Sequence, residues 1–311
     1  MSGDLTASIV QSLRSRNIPE LDYSTFTRED AVFSNGVRAV LTKGRLLVDD
    51  LRGRREKVVV LKTINPEFSR KADTERKKKL VQYFEREAGI WRLTCGHPNI
   101  LKLYGFVTIP GQIFPSLISP YYERDLRAFV ERHDILSAKQ RLKFTSDIAR
   151  GLAFLHSLSP LVIHRDIRAS NSLVKGDGFE YSAMIIDFGS SKISDPDLFK
   201  VLKSTQSGSY AWAPPEYTLF PDQYTNPTTH GDIWSLECTC LEIFTAKDPY
   251  RGYDVEEAHK NGLIPDRPTG LQIEINDATW EFLKKCWNRC VDQRPSAGDA
   301  TSEFERLSTN A

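Results

Sequence analysis

The sequence has almost no surplus of either charge: 42 lysines and arginines face 41 aspartates and glutamates, leaving +1 over 311 residues. That balance removes the electrostatic reason to expect nucleic acid or an anionic membrane as the main partner. Long apolar runs are missing as well. No stretch approaches the roughly 20 apolar residues of a membrane-spanning helix, and the start, MSGDLTASIVQSLRSRN, lacks a signal peptide's apolar centre. The expectation is a cytoplasmic protein without membrane insertion. Cysteine is scarce and odd in number: Cys95, Cys238, Cys240, Cys286 and Cys290 lie scattered in apolar context. Cys286 and Cys290 are four apart on an expected helix, but no histidine or second cysteine pair stands near enough for a zinc site. They read as reduced thiols of a cytosolic core. Internal repeats and low-complexity linkers are absent too. What remains, 40% hydrophobic and 27% charged, is an ordinary soluble globular composition. Its length suits two domains or one two-lobed unit.

Along the chain, residues 1–29 are polar with one short amphipathic stretch, an N-terminal extension expected to lean on the domain. From 31 to about 65 the pattern predicts strands, AVFSNGVRAVLTKG and KVVVLKTI. The charged segment SRKADTERKKKLVQYFEREAGIWRL predicts one helix, with Arg76 to Lys79 as its solvated face. ILKLYGFV and PSLISPYY predict short strands, and from about 125 the chain turns mostly helical. Ser137 with Gln140 three residues on predicts a capping box. Leu142, Ile148, Leu152 and Leu155 then keep to one helical stripe. The fold class expected is α+β, a small β-rich lobe with one main helix followed by a larger helical lobe, with a cleft where they meet.

Several ionisable residues interrupt apolar surroundings. On the strand KVVVLKTI, Lys62 shares a face with Val58, Val60 and Ile64. On the charged helix, Glu87 falls in the stripe of Leu80, Phe84 and Trp91. Either ion alone reads as a snorkelling surface side chain. Facing one another, they cancel much of the cost of burial. VIHRDIRASNSLV packs His164, Arg165, Asp166, Arg168 and Asn171 between apolar ends, where charges are costly unless paired or working. AMIIDFG leads an apolar strand into Asp187, Phe188 and Gly189, an acid followed by a residue that permits a sharp turn.

In this order and spacing the segments resemble a protein kinase domain, most similar to the tyrosine-kinase-like branch of serine/threonine kinases. HRDIRASN resembles the catalytic loop H-R-D-x-x-x-x-N, and AMIIDFG the D-F-G segment. GSYAWAPPE resembles the A-P-E segment, with Pro214 where alanine is usual. GDIWSLECTCLEIFTAKDPY and CWNRCVDQRPS resemble the anchoring helix and a late loop whose Arg294 would pair with Glu216. The likeness covers roughly residues 30 to 308, an N-lobe of about 30–118 and a C-lobe of about 123–308.

The resemblance implies an ATP- and Mg-dependent kinase acting on protein substrates, with an upstream activator or regulator. ATP would lie between Val60 and Leu173. Lys62 would contact its phosphates and Glu87 would hold Lys62. Asn171 and Asp187 would bind Mg²⁺, Asp166 would orient the substrate hydroxyl, and Arg168 would offset phosphoryl charge. Arg165 would grip a phosphate on the activation loop, which offers Ser190, Ser191, Ser194, Ser204, Thr205 and Ser207. In the joining segment, Pro120 would present only a carbonyl to adenine and Tyr122 a donor.

The phosphate-covering loop departs from the family pattern. Its glycine positions fall on Ser34, Gly36 and Ala39, with Asn35 and Leu41 alongside, so only Gly36 remains; a register shift of one or two residues stays open. Glu237 also replaces a glycine in the anchoring helix. Two rival functions are a pseudokinase or scaffold that transfers little, and a small-molecule kinase, which would lack GSYAWAPPE and CWNRCVDQRPS. On specificity, Arg168 leans towards tyrosine kinases. Ser209 stands where serine/threonine kinases keep a threonine that contacts the catalytic aspartate, and no proline interrupts STQSGSYAW. Serine/threonine specificity is expected, with tyrosine or dual specificity as the alternative.

Overall fold

A computed structural model describes residues 2–35, 39–50, 53–133, 136–176, 178, 180–193, 210–220 and 227–311. The chain divides into two compact units, Met1–Gly96 with Leu101–Tyr121, and His97–Ile100 with Tyr122–Ala311.

The first unit opens with helix α1 (Ser2–Ser15), then strands β1 (Phe26–Asn35), β2 (Ala39–Asp50) and β3 (Gly53–Ile64). Helices α2 (Pro66–Lys71) and α3 (Thr74–Thr94) and strands β4 (Gly105–Val107) and β5 (Ser116–Pro120) follow. The five strands form one sheet in the order β1-β2-β3-β5-β4, antiparallel in each paired register. Phe26, Leu46, Val59, Leu61, Val107, Ile109 and Ile118 fill its core. This corrects one expectation for β3. Lys62 does share a face with Val58 and Val60, but the sheet's core lies on the opposite face, with Val59 and Leu61; Val58 is 40% exposed. Both faces are apolar in sequence, so alternation gave the parity and not the side.

The expected single helix over 69–93 is two. Asn65 caps α2 with Pro66 in its first turn, Ala72 is extended, and the Asp73 side chain accepts from Arg76 N–H to start α3. The stripe of Leu80, Phe84, Glu87 and Trp91 is buried as expected.

The second unit contains α4 (Leu126–Arg132), α5 (Ala138–Ser157), and strands β6 (Val162–Ile163), β7 (Ser172–Gly176), β8 (Tyr181–Ile185) and β9 (Lys192–Ile193). Helices α6 (Pro215–Leu219), α7 (Thr229–Thr245), α8 (Val255–Lys260), α9 (Asp277–Cys286) and α10 (Ala297–Thr309) complete it. β6 pairs with β9 and β7 with β8, both antiparallel. α5 packs on α10, α7 and β8, and its Leu142, Ile148, Leu152 and Leu155 are all buried. Ser137 caps α5 by accepting from Gln140 N–H, but the Gln140 amide donates to the Tyr181 carbonyl, so no reciprocal box forms there. The reciprocal box is at α10, between Ser296 and Asp299. α7 is buried all round from Gly231 to Phe244, which makes it the axis of this unit. Residues 97–100 tie into β8: Ile185 N–H donates to the Asn99 carbonyl at 2.8 Å, and the Asn99 amide donates to the Ala183 carbonyl at 2.9 Å.

Candidate active site

In the first unit, β3 sets Lys62 opposite Leu41 of β2 and Leu117 of β5. Its Nζ lies 2.5 Å from Glu87 Oε1, and Glu87 is 2% exposed. α3 is fixed beyond Glu87 by Trp91, whose indole N–H donates to the Leu101 carbonyl at 2.7 Å. A buried carboxylate is tolerated there because a cation meets it; removing either partner leaves the other stranded. Val60 lies half-buried on the Lys62 face. Ser34 and Asn35 end β1, paired through their backbones with Leu41 and Val40, and Ala39 opens β2. Gly36 lies outside the described residues. Pro120 ends β5 opposite Val59, where no further ladder donor is needed, and Tyr121 N–H donates to the Val58 carbonyl.

In the second unit, the loop between β6 and β7 is pinned from below by α7. Asp232 Oδ2 accepts from His164 N–H at 2.8 Å and from His156 Nε2 at 2.9 Å; Oδ1 accepts from Arg165 N–H at 2.7 Å. Thr239 Oγ1 lies 2.7 Å from the Ser235 carbonyl and 3.2 Å from the Ile167 carbonyl, and Glu242 Oε2 accepts from Ala169 N–H and the Trp212 indole, both at 2.9 Å. Burial raises the Glu242 carboxyl above its ordinary value, against the pull of these donors and of Arg127. His164 accepts at Nδ1 from Asp166 N–H and meets the Ile186 carbonyl at 3.0 Å through Nε2, which assigns its proton to Nε2. Arg165 is held at φ 71°.

These anchors present Asp166. Its Oδ1 is buried and has no hydrogen-bond partner among the described residues, with Arg168 Nε 3.7 Å away. Arg168 lies over the Trp212 ring at 6.0 Å. The Asn171 amide donates to the Asp166 carbonyl at 2.9 Å, which leaves its Oδ1 for a hard cation, and the Asn171 carbonyl accepts from Ile186 N–H. That bond brings the backbone next to Asp187, whose exposed carboxylate accepts from Gly189 N–H and whose φ is 64°. One amide oxygen and one carboxylate fit Mg²⁺, which takes few protein ligands and fills the rest with phosphate and water. Phe188 is buried against the His164 ring at 5.5 Å. Leu173 sits half-buried on β7 opposite Met184. Tyr122 is half-buried, and burial raises its phenol.

Arg294 grips Glu216 through two bonds of 2.7 and 2.8 Å, as the sequence led us to expect. Ser191 is fully buried and its hydroxyl donates to the His164 carbonyl. Ser194, Ser204, Thr205, Ser207 and Ser209 lie outside the described residues. Sequence reasoning missed Asp232, Thr239 and Glu242 as supports of the loop. Their signal was available, since each is a polar residue in a helix that is buried all round from Gly231 to Phe244.

A profile of the protein kinase domain matches residues 49–304. Among curated relatives, the probable serine/threonine-protein kinase roco6 of Dictyostelium discoideum is 30% identical over 224 residues, 68% of this chain and 10% of that protein. Serine/threonine-protein kinase VIK of Arabidopsis thaliana is 27% identical over 234 residues, 73% of this chain and 51% of the relative. Mitogen-activated protein kinase kinase kinase 3 of the same plant is 29% identical over 231 residues, 73% and 35%. The matched region thus spans about half of these relatives' length at most, and a tenth of the first.

Proposed function

From the premise that this chain belongs to the protein kinase family, we propose that it is an ATP- and Mg²⁺-dependent protein kinase that phosphorylates serine and threonine hydroxyls of protein substrates. The observation that carries the reading is Asp166: its buried Oδ1 has no hydrogen-bond partner among the described residues, with Arg168 Nε 3.7 Å away, in a loop whose backbone is held at 165, 166 and 169. An orphaned acceptor is costly to fold around unless a ligand meets it, and a substrate hydroxyl is such a donor.

Lys62, oriented by Glu87, serves the nucleotide's phosphates. Asp166 accepts the hydrogen bond of the attacking hydroxyl and takes its proton as the bond to the γ-phosphorus forms and the bond from that phosphorus to the β-phosphate oxygen breaks, releasing ADP. Arg168 offsets charge on the transferred group. Asn171 Oδ1 and Asp187 would hold Mg²⁺, which supplies neutralisation of the phosphate oxygens. Positioning and electrostatics carry the rate. The names of the relatives support serine and threonine as acceptors, and so does Ser209. Substrate proteins and an upstream regulator belong to the same proposal.

A nucleotide-binding scaffold is the second reading, favoured by the loop in which Ser34 and Ala39 replace two glycines. Incubation of the purified protein with labelled ATP, Mg²⁺ and a basic protein substrate, beside Asp166→Asn, separates the two. Transfer that vanishes in the variant, onto serine or threonine by mass spectrometry, is expected; no transfer by either protein refutes the kinase reading, and phosphotyrosine as the main product refutes the specificity.

A further inference from the structure

The N-terminal segment is built into the first unit. Ile9 and Leu13, one helical turn apart on α1, are fully buried, and α1 packs on α3. The Thr6 hydroxyl donates to the Ile113 carbonyl at 2.9 Å. The chain leaves α1 at Asn17, with φ 56°, and Ile18 is buried. Pro19 to Leu21 then run beside β4, the edge of the sheet. Phe106 N–H donates to the Pro19 carbonyl at 2.9 Å and Leu21 N–H to the Phe106 carbonyl at 2.8 Å. An extended segment that pairs with an open edge is a strand addition, here supplied by the chain itself.

Where this segment touches α3 is informative. The Arg92 guanidinium donates through Nε to the Asn17 carbonyl at 2.8 Å. The Arg16 guanidinium lies so close to Gly89 that a Cβ there would stand 3.0 Å from Nη1. Glycine inside a helix costs about 1 kcal/mol against alanine; a methyl here would require the Arg16 guanidinium to shift. At roughly 100° per residue, Gly89 lies about 200° round the helix from Glu87. The turn that follows α1 therefore meets α3 on the side opposite the carboxylate that meets Lys62. Trp91 and Phe84, about 40° and 60° round from Glu87, are buried on the carboxylate's side.

We propose that residues 2–21 are a positioning clamp: they hold α3 from behind so that Glu87 stays on Lys62; Ile9, Leu13 and Arg16 are its positioning residues, and Arg92 is the residue of α3 that bonds to it. The link to turnover rests on the kinase reading above; the mechanical claim does not. Two measurements keep them apart.

The first is hydrogen exchange of the full chain carrying Ile9→Ala with Leu13→Ala. Residues 84–94 should exchange about tenfold faster or more, while residues 138–157 of α5 keep wild-type rates. Arg92→Ala, at an exposed side chain, provides a milder variant that should loosen the same residues if the double variant folds poorly. The second is a kinetic cycle. The α1 substitutions should lower kcat/KM about tenfold in the wild-type background and add nothing to Glu87→Gln, because both act through one carboxylate. Wild-type exchange over 84–94 in both variants would overturn the clamp. An equal fold loss in both backgrounds would overturn its action through Glu87. A wild-type protein that transfers no phosphate refutes the kinase reading and leaves exchange to decide the clamp.

Discussion

Consider Asp232→Asn, a change of one atom beneath the catalytic loop. The aspartate is 1% exposed and accepts from three donors, His164 N–H, His156 Nε2 and Arg165 N–H. Asparagine keeps the shape but offers one oxygen and one NH₂. With its oxygen towards His164, its NH₂ faces the Arg165 N–H, donor against donor. A buried donor left unmet costs about 1–3 kcal/mol. Arg165 already sits at φ 71°, a conformation worth of order 1–3 kcal/mol of strain in a non-glycine residue. Freed from Oδ1, it relaxes and carries Asp166 with it. We expect kcat to fall about 10- to 100-fold, equivalent to about 1.4–2.7 kcal/mol of transition-state stabilisation. The melting temperature should drop by about 2–4 °C for each kcal/mol lost. Steady-state kinetics and a thermal melt on the same sample measure both. A variant with wild-type kcat and wild-type melting would show that the loop holds itself and that Asp232 is incidental.

Lys62→Met strands the buried Glu87 carboxylate and should cost transfer heavily, as should Glu87→Gln, while both melt cooperatively; near-wild-type turnover in either would refute the role assigned to the pair. ATP with Mg²⁺ at 100 times its Kd should add about 2.7 kcal/mol of stability in a thermal titration; Asp187→Asn should weaken the Mg²⁺-dependent part, and an unchanged titration would remove Asp187 from the metal site. Glu237 is fully buried, and burial pushes its carboxyl well above the ordinary value. Its folded pKa exceeds its unfolded one, so the protonated form is favoured by folding, and stability is lost as pH rises above about 4.5. Glu237→Gln should therefore gain stability over wild type at pH 8 relative to pH 5, and a pH-independent difference between the two would contradict the burial argument.

Much of this was legible from residues alone, and the reasons are particular. Lys62, Glu87, Asp166 and Asp187 stand out because an ion amid apolar neighbours is costly without a task or a partner. The Arg294–Glu216 pair followed from motif order. Other features depend on partners distant in sequence. The break before α3 turned on Asp73 as a cap in a segment whose other residues suit a helix. Gln140 had the right spacing for a capping box, yet the Tyr181 carbonyl won its amide. The clamp was hidden for the same reason: an amphipathic stretch at 2–15 says that something covers it, not that α3 does.

The four residues 97–100 have a consequence for anyone who would take the protein apart. They precede β4 and β5 in the chain but supply Asn99, whose carbonyl and amide bond to Ile185 and Ala183 of β8. A fragment beginning at Tyr122 would lose both bonds, and the strand that leads into Asp187 would lose its neighbour on that side. Two of the broken groups belong to β8 itself, where unmet backbone donors and acceptors are expensive. The chain's two units are thus interleaved in sequence, and a single cut cannot yield both intact. Recombining them as separate polypeptides would require 97–100 to be copied into the second piece, ahead of residue 122.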